Sequence, residues 1–366
     1  MDNDIVYKMA LTQIPLVGAK TAKNLIGYCG GVKEIYNKSV ALLKKVPGVG
    51  EQIAQNIYSF KDFDRVLTEI EFMENNGIKS YFFLDDTYPF RLRQIPDGPI
   101  MLYSRGQANL NPSKTIAIVG TRKMTNYGQQ FINRFLEELS PYKPTIVSGL
   151  AYGVDIWAHK QSLKVGLPTW GVVAHGLDRI YPSVHTSIAK EMVANQGAII
   201  SEYFANTVPN REHFPMRNRL VAGMVDAVIV VESAIKGGSL ITAELANQYN
   251  RDVLALPGAI TSRYSVGCNS LIKKNKAHLL DGIESLVELL NWDVKVKKPV
   301  QHTLFEDLSE VEKKVWTIIQ NSGGIGIDEL VHKSGFESSL LAITLLELEM
   351  KNCILSLPGK RYKSIA

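Results

Sequence analysis

The chain has 366 residues, 45% of them hydrophobic and 21% charged, with a formal net charge of +5. This composition is typical of a globular protein with two or three domains, and no apolar run approaches the roughly 20 residues that a membrane helix needs. The mildly basic balance permits a nucleic-acid partner without requiring one.

The three cysteines (Cys29, Cys268 and Cys353) are far apart and form no CxxC pair. This spacing argues against structural zinc and against a disulfide framework, and it fits a reducing compartment. The first ten residues, MDNDIVYKMA, show no signal-peptide pattern. We therefore expect a cytoplasmic protein that uses no metal and no diffusible cofactor.

Residues 1–76 are predicted to form an all-α domain of short helices punctuated by glycines. Within it, residues 46–57 read VPGVGEQIAQNI, which is typical of a helix-hairpin-helix motif whose hairpin amides can face a phosphate. Residues 14–22, IPLVGAKTA, form a degenerate copy with Leu16 at the first hairpin glycine. We interpret this copy as structural.

Residues 80–290 alternate short apolar runs with helical stretches, which predicts a Rossmann-like, doubly wound α/β sheet. Predicted strands cover residues 115–119, 145–148, 169–173, 198–201, 227–231 and 253–256, and predicted helices cover 127–139, 154–165, 184–195 and 240–250.

Ligands of such sheets bind beyond the carboxyl ends of the strands, and four motifs lie there. They are Gly120-Thr121-Arg122, Ser148-Gly149-Leu150, His175-Gly176-Leu177-Asp178 and Lys236-Gly237-Gly238-Ser239. The GxGxxG fingerprint is absent and no acidic residue ends strand 145–148, so NAD binding is disfavoured.

Gly237, Gly238 and Ser239 precede a predicted helix with Thr242 one turn in, which suits an anion, although Ser239 could simply cap the helix.

The triplet Arg217-Asn218-Arg219 follows Phe214-Pro215 and precedes a predicted helix at residue 220. Surface arginines are common, but this arrangement favours an anion contact for at least one guanidinium. The other could pair with Glu202 or Glu232.

Asp155 and His159 are four residues apart on a predicted helix, so we expect them to hydrogen-bond along one face. A structural pair is favoured over a catalytic dyad, because only Ser148 could serve as a nucleophile nearby.

Residues 293–304 are predicted to be a linker, since residues 294–300 are charged and contain Pro299. Residues 305–366 show three helical repeats and a terminal hairpin with a basic tip, a winged-helix pattern. Its candidate recognition helix, residues 338–350, carries Glu347 and Glu349 but no Lys or Arg, which argues against reading of the major groove. A protein contact or a packing role is the alternative.

The order of these motifs resembles the DNA-processing protein A (DprA/Smf) family, most closely over residues 88–280. The resemblance is carried by Tyr88-Pro89, Asp97-Gly98-Pro99, Gly120-Thr121-Arg122, Ser148-Gly149-Leu150-Ala151, Gly176-Leu177-Asp178, Tyr181-Pro182, Phe214-Pro215-Met216-Arg217-Asn218-Arg219, Gly238-Ser239-Leu240, Pro257-Gly258 and Asn269-Ser270-Leu271-Ile272.

The resemblance implies a homodimeric protein that binds single-stranded DNA, protects incoming DNA and helps to load the RecA recombinase in natural transformation. Tyr181 is expected to stack on a base. The complete predicted DNA-binding set is Gly120, Thr121, Arg122, Ser148, Gly149, Tyr181, Arg217, Asn218, Arg219, Gly237, Gly238, Ser239, Thr242, Lys273 and Lys274.

The chain departs from the family pattern at three places, one of which is Asn275-Lys276, where a glycine is usual before Ala277. Thr186 replaces a frequent basic residue, for which Lys190, Lys273 or Lys274 could compensate, and His175 replaces a frequent glycine.

The alternative function is a nucleoside-monophosphate N-glycosidase of the lonely-guy type, which is an enzyme on a related fold. Residues 237–244 keep the two glycines and the spacing to Glu244 of that family's motif. Leu240-Ile241 replaces its Gly-Thr, which removes groups needed against a monophosphate. We therefore expect a binding protein and not an enzyme.

Overall fold

The computed structural model describes residues 3–292, 308–322, 324–351, 353–357 and 361–364. The chain divides into two compact units, Met1–Val294 and Lys295–Ala366. The predicted linker, residues 293–304, and residues 358–360 of the predicted hairpin lie outside the described residues.

The first unit begins with six helices that bury a common apolar core. They are α1 (Asn3–Leu11), α2 (Ala19–Cys29), α3 (Val32–Tyr36), α4 (Val40–Leu43), α5 (Glu51–Ser59) and α6 (Phe63–Asn75).

The two hairpin segments form an internal repeat with an offset of 32 residues, so that Asn24 corresponds to Asn56. The Asn24 side chain donates to the Pro47 carbonyl at 3.0 Å, and the Asn56 side chain donates to the Pro15 carbonyl at 2.9 Å. Leu16 takes a φ of 69°, close to the 83° of Gly48. The degenerate copy thus keeps the hairpin backbone, although a leucine is strained in this region.

The central sheet has nine strands in the order β1-β2-β6-β5-β4-β3-β7-β8-β9. Its elements are β1 (Ile78–Phe82), α7 (Phe90–Arg93), β2 (Met101–Arg105), β3 (Thr115–Val119), α8 (Asn126–Leu139), β4 (Thr145–Ser148), α9 (Val154–Lys164), β5 (Thr169–Val172), α10 (Thr186–Ala194), β6 (Ala198–Ser201), α11 (His213–Gly223), β7 (Ala227–Val230), α12 (Gly238–Gln248), β8 (Asp252–Ala255), α13 (Val266–Lys273), β9 (His278–Leu279) and α14 (Ile283–Leu289).

Strands β3 to β9 pair in parallel, whereas β1 and β2 add an antiparallel edge. Every residue of β3 to β7 is buried, as the continuous apolar runs predict for a sheet covered on both faces. The chain winds outward from β3 through β4 and β5 to β6, then returns to the other side of β3 as β7. The strand order therefore reverses between β3 and β7, which is where a doubly wound sheet opens a crevice.

The second unit has its own apolar core and the winged-helix order of elements. It contains α15 (Glu310–Asn321), β10 (Ile325–Gly326), α16 (Ile327–Ser334), α17 (Ser338–Met350), β11 (Ile354–Leu357) and β12 (Arg361–Ser364), and its sheet has the order β10-β12-β11. Helix α17 has the bounds predicted for the candidate recognition helix.

Among the described residues, we find no helix that combines the length and the apolar character needed to span a bilayer.

Candidate nucleic-acid interface

A cavity of about 840 Å³ opens at the carboxyl ends of β3 and β7, at the reversal of strand order. Eleven of the fifteen predicted DNA-binding residues line it: Gly120, Thr121, Arg122, Gly149, Tyr181, Arg217, Asn218, Gly237, Gly238, Ser239 and Thr242. Their role in DNA binding stays a prediction.

Two of the arginines at the cavity are exposed and unengaged. Among the described residues, neither Arg122 nor Arg211 makes a hydrogen bond or an ion pair, and both line the cavity. The Arg122 guanidinium lies 5.8 Å from the centroid of the Phe214 ring, and the Tyr181 ring lies 6.2 Å from the same ring. The rim therefore offers two cations beside an aromatic pair, a combination that suits phosphates and unstacked bases.

The third arginine, Arg217, is buried in the floor of the cavity. Its Nη1 donates to the Val172 carbonyl and its Nε donates to the Asn218 side chain at 3.3 Å. The carboxylate of Asp155 and the guanidinium of Arg217 both approach the position that a Cβ on Gly149 would occupy, the guanidinium to 2.8 Å. Burial raises the pKa of Asp155 and lowers the pKa of Arg217, while each charge favours the ionised form of the other. The floor is thus close to neutral, and the net positive charge is at the rim.

Two glycines allow close packing around the loop after β4, and one of them, Gly153, lets this loop approach the loop after β3. A Cβ at Gly149 would collide with Asp155 and with Arg217, and a Cβ at Gly153 would collide with the Thr121 carbonyl. Gly153 also has a φ of 76°, which favours glycine. The amide of Val154 donates to that Thr121 carbonyl at 3.1 Å, so the two loops form one wall.

Helix α12 points its amino terminus into the cavity. Gly237 occupies the N-cap position, and the Ser239 hydroxyl donates to the Ser233 hydroxyl at 2.9 Å, so Ser239 does not cap the helix. Within the described part of the chain, the amides of Gly238 and Ser239 have no acceptor. Free amides and the positive end of the helix dipole favour an anion here.

Four predicted site residues lie away from the cavity. Arg219 forms an ion pair with Glu202, which is one of the alternatives considered for the second arginine, and Glu232 instead accepts from the amide and hydroxyl of Thr125. Ser148 is fully buried and donates to the Ile118 carbonyl at 2.6 Å. Lys273 and Lys274 lie at the far end of α13, about 10 Å along the helix from its start beside Ser233.

The predicted Asp155–His159 hydrogen bond is wrong. His159 Nε2 donates to the Gly149 carbonyl at 2.6 Å, and Nδ1 lies 2.7 Å from the Thr169 hydroxyl, while Asp155 accepts from the Ala151 amide at 3.4 Å. The reason is that His159 faces the sheet and Asp155 faces the loop. His159 is structural, as expected, but it supports the cavity wall at Gly149.

This buried histidine predicts a pH dependence of stability. Burial lowers the pKa of His159 to about 4, so between pH 6.5 and 4 the unfolded state binds the proton and the folded state does not. Stability is then lost as pH falls, by about 2 kcal/mol between pH 7 and 5. Urea unfolding at both pH values should show a smaller acid-induced loss in His159→Gln, which keeps an amide donor but does not titrate.

The carboxyl groups of Asp155 and Glu202 have raised pKa values, so they act in the opposite direction and only the difference between the two proteins reports His159. Equal losses in both proteins would contradict the assignment.

Two of the departures from the family pattern, His175 and Thr186, make hydrogen bonds in the structure. The Tyr181 amide donates to His175 Nε2 at 3.3 Å, so His175 fixes the backbone of the rim tyrosine. The Thr186 hydroxyl donates to the Ser183 carbonyl at 2.6 Å. None of Lys190, Lys273 and Lys274 lines the cavity, whereas Arg211 does.

Sequence reasoning missed Arg211 and gave no role to Phe214. Arg211 lies in the irregular segment between β6 and α11, ten residues after the end of β6, and no local pattern points to it. The adjoining Phe214-Pro215 pair was the available signal for an aromatic side chain at the rim.

Comparison with known families matches three parts of the chain. The model of DNA recombination-mediator protein A covers residues 79–291, that of the SAM-like helix-hairpin-helix tandem covers residues 8–60, and that of the DprA winged helix domain covers residues 303–360. The predicted resemblance and the predicted fold class are thereby confirmed.

Individual relatives agree with these matches. Protein Smf of Synechocystis is 30% identical over 400 residues that cover 99% of each chain, and the DNA processing protein DprA of Bacillus subtilis is 37% identical over 61% of this chain and 75% of its own.

Two solved structures are similar. Streptococcus pneumoniae DprA has a TM-score of 0.67 and 29% identity over 79% of this chain and 98% of its own. A Helicobacter pylori DNA processing protein A, described for its single-stranded DNA binding mode, has a TM-score of 0.53 and 31% identity over 58% of this chain and 95% of its own.

Proposed function

Because the chain belongs to the DNA recombination-mediator protein A (DprA/Smf) family, we propose that it binds and protects incoming single-stranded DNA in the cytoplasm. We further propose that it helps to load the RecA recombinase during natural transformation. The observation that carries the DNA-binding proposal is the cavity at the reversal of strand order, where unengaged arginines, free helix amides and aromatic rings converge.

The geometry supports contacts of different groups with different parts of a nucleotide. In this proposal Arg122 and Arg211 contact a phosphate from the exposed rim, and the amides of Gly238 and Ser239 contact an anion at the start of α12. Phe214 and Tyr181 offer ring faces to a base, and stacking of this kind tolerates any base. A duplex keeps its bases stacked on each other, so the site favours a single strand.

Binding is therefore expected to prefer single strands and to weaken with salt. With two or three phosphates neutralised per cavity, log Kd should change with log salt by a slope of about 1.5 to 2 for single strands. Fluorescence anisotropy with matched single- and double-stranded oligonucleotides at several salt concentrations measures both quantities. Equal affinity for the duplex, or no salt dependence, would rule out the cavity as the binding site.

The structure gives the alternative enzyme little support. Glu244, which keeps the spacing of the glycosidase motif, does not line the cavity, and its carboxylate pairs with Lys276 at 2.7 Å. A catalytic carboxylate would have to face the bound nucleotide. We therefore propose a binding protein, and the absence of released base from nucleoside monophosphates, followed by chromatography, would support it.

We also propose that the chain forms a homodimer through its central region. Two neighbouring loops beside the cavity expose large aliphatic side chains, Ile235 at 68% and Ile260 at 90%. The loops are joined by a hydrogen bond from the Ser233 amide to the Tyr264 carbonyl at 2.7 Å. Exposed apolar side chains grouped in this way favour a protein contact.

Removal of residues 305–366 should leave single-strand binding largely intact. All the groups assigned to DNA lie in the first unit, and α17 presents no basic side chain. The affinity of a chain ending at residue 300 for a short oligonucleotide should stay within about threefold of the full chain, because no charge-assisted contact is lost. Complete loss of binding by a shortened chain that retains its circular-dichroism spectrum would contradict this assignment.

A further inference from the structure

His175 is a buried polar side chain beside the aromatic pair of Tyr181 and Phe214. It is 1% exposed, and it lines a small cavity of about 90 Å³ whose wall also includes both rings. The same two rings line the main cavity. The imidazole therefore lies directly behind the rings that are proposed to stack on a base.

Two hydrogen bonds fix both the tautomer and the charge of His175. Nδ1 lies 2.8 Å from the Gly176 carbonyl oxygen, which can only accept, so Nδ1 carries a proton. Nε2 lies 3.3 Å from the Tyr181 amide nitrogen, which can only donate, so Nε2 carries a lone pair. The ring is therefore neutral, because a second proton, on Nε2, would point at the amide hydrogen.

The bond from His175 connects the Tyr181 backbone to the central sheet. Within the described part of the chain, we find no other hydrogen bond to the Tyr181 backbone. His175 is itself held at the sheet, since its carbonyl accepts from the hydroxyl of Ser201, the last residue of β6, at 2.6 Å. Tyr181 is 51% exposed, so packing supplies only part of its restraint. Loss of the bond should let the tyrosine ring leave its place beside Phe214.

We propose that His175 is a positioning residue for base stacking, whose neutral ring holds Tyr181 where a base can stack and whose protonation releases it. This role rests on the proposed function, which assigns Tyr181 to a base. The phosphate contacts proposed for Arg122 and Arg211 do not pass through this bond. Acid should therefore weaken the contribution of the bases to binding and spare that of the phosphates.

The charged groups around His175 set the pH at which this happens. Asp178 and Arg179 follow it in the same loop, and Arg217 faces it from α11. Burial, the largest effect, and the two guanidiniums lower the pKa of His175, whereas the Gly176 carbonyl and the Asp178 carboxylate raise it, and the net shift is downward. The bond to the amide is thus intact at neutral pH and is lost as the pH falls below the ordinary histidine value of about 6.5.

The ratio of affinities for two oligomers of equal length isolates the contribution of the bases. One is oligothymidine, and the other has the same sugars and phosphates but no bases. At pH 7.5, Tyr181→Ala should lower this ratio by about 5- to 150-fold, which is the effect of one stacked base. The wild-type ratio should fall toward that of Tyr181→Ala as the pH is lowered to 5. Fluorescence anisotropy at constant salt measures the ratio, and circular dichroism confirms that each protein stays folded.

Glutamine and asparagine at position 175 provide a matched pair, because both are neutral amides that differ by one methylene. Glutamine reaches the position of Nε2 and can accept from the Tyr181 amide, whereas asparagine reaches only that of Nδ1. His175→Gln should keep the wild-type ratio at pH 7.5 and make it independent of pH. His175→Asn should show the low ratio of Tyr181→Ala at both pH values. Equal ratios for the two variants would overturn the proposal.

Nitrogen NMR of the histidine-labelled full chain gives a readout that requires neither variant to fold. We expect the neutral His175 ring to carry its proton on Nδ1, and its protonation should coincide with the fall of the ratio. A proton on Nε2 of the neutral ring, or titration of the ring without a change in the ratio, would contradict the assignment. A wild type that binds both oligomers equally removes the stacking role of Tyr181 and with it this inference. A wild type that binds neither removes the proposed function itself.

Discussion

Affinity for single-stranded oligonucleotides is expected to rise by about 10²- to 10⁴-fold once an oligonucleotide spans both cavities of a homodimer. One cavity has two unengaged arginines and binds a flexible strand weakly. When one end of a strand is bound in the first cavity, the second contact becomes intramolecular, and its effective concentration reaches the millimolar range. Anisotropy with oligothymidines of increasing length should show a steep rise followed by a plateau.

Two short oligonucleotides joined by an uncharged polyether spacer provide the control. They should recover the affinity of the long strand when the spacer matches the span, because the phosphates between the cavities contribute little. Light scattering at micromolar concentration measures the dimer directly. A strict monomer whose affinity increases only in proportion to oligonucleotide length would remove this mechanism.

The strands could be predicted almost to the residue because their physical cause is local. Each strand from β3 to β7 is buried on both faces, so its run in the sequence is apolar without interruption. The reversal of strand order between β3 and β7 could not be predicted, because it depends on which strands pair and no single segment carries that information. The edge strands β1 and β2 were not predicted, since they lie outside the repeating βα pattern.

The site residues were predicted less accurately than the strands, because the direction of a side chain decides whether it reaches the cavity. The predicted helix at residue 220 left Arg217 and Arg219 before its start, and both were included in the predicted DNA-binding set. Helix α11 in fact begins at His213, so the two side chains differ by about 200° around its axis. Arg217 faces the cavity, and Arg219 faces Glu202.

Side-chain direction also explains why Ser148 lies away from the cavity, although it ends a predicted strand as the motif requires. In β4 its side chain points into the layer between sheet and helices, where it donates to the Ile118 carbonyl, while the backbone continues toward the cavity. Arg211 is the opposite case. Its local sequence does not predict a site residue, and it reaches the rim of the cavity only through the tertiary fold.

Arg122→Ala is expected to weaken binding to a short single strand by about 1.5–3 kcal/mol, which is about 10- to 150-fold. The guanidinium is exposed, lines the cavity and has no hydrogen bond or ion pair among the described residues. Its loss therefore removes a charge-assisted contact to phosphate, and within the folded protein it removes only the exposed contact with the Phe214 ring, so the melting temperature should change little. Isothermal titration and thermal unfolding measure the two effects.

Arg219→Ala is the matched control, because it removes the same charge two positions from the buried Arg217 but outside the cavity. It leaves the Glu202 carboxylate without its partner, so it should lower the free energy of unfolding by about 3–5 kcal/mol. At a temperature where this variant remains folded, its affinity should fall much less than that of Arg122→Ala. Unchanged affinity of Arg122→Ala together with a lower melting temperature would make Arg122 a structural residue and would leave Arg211 as the unengaged rim cation.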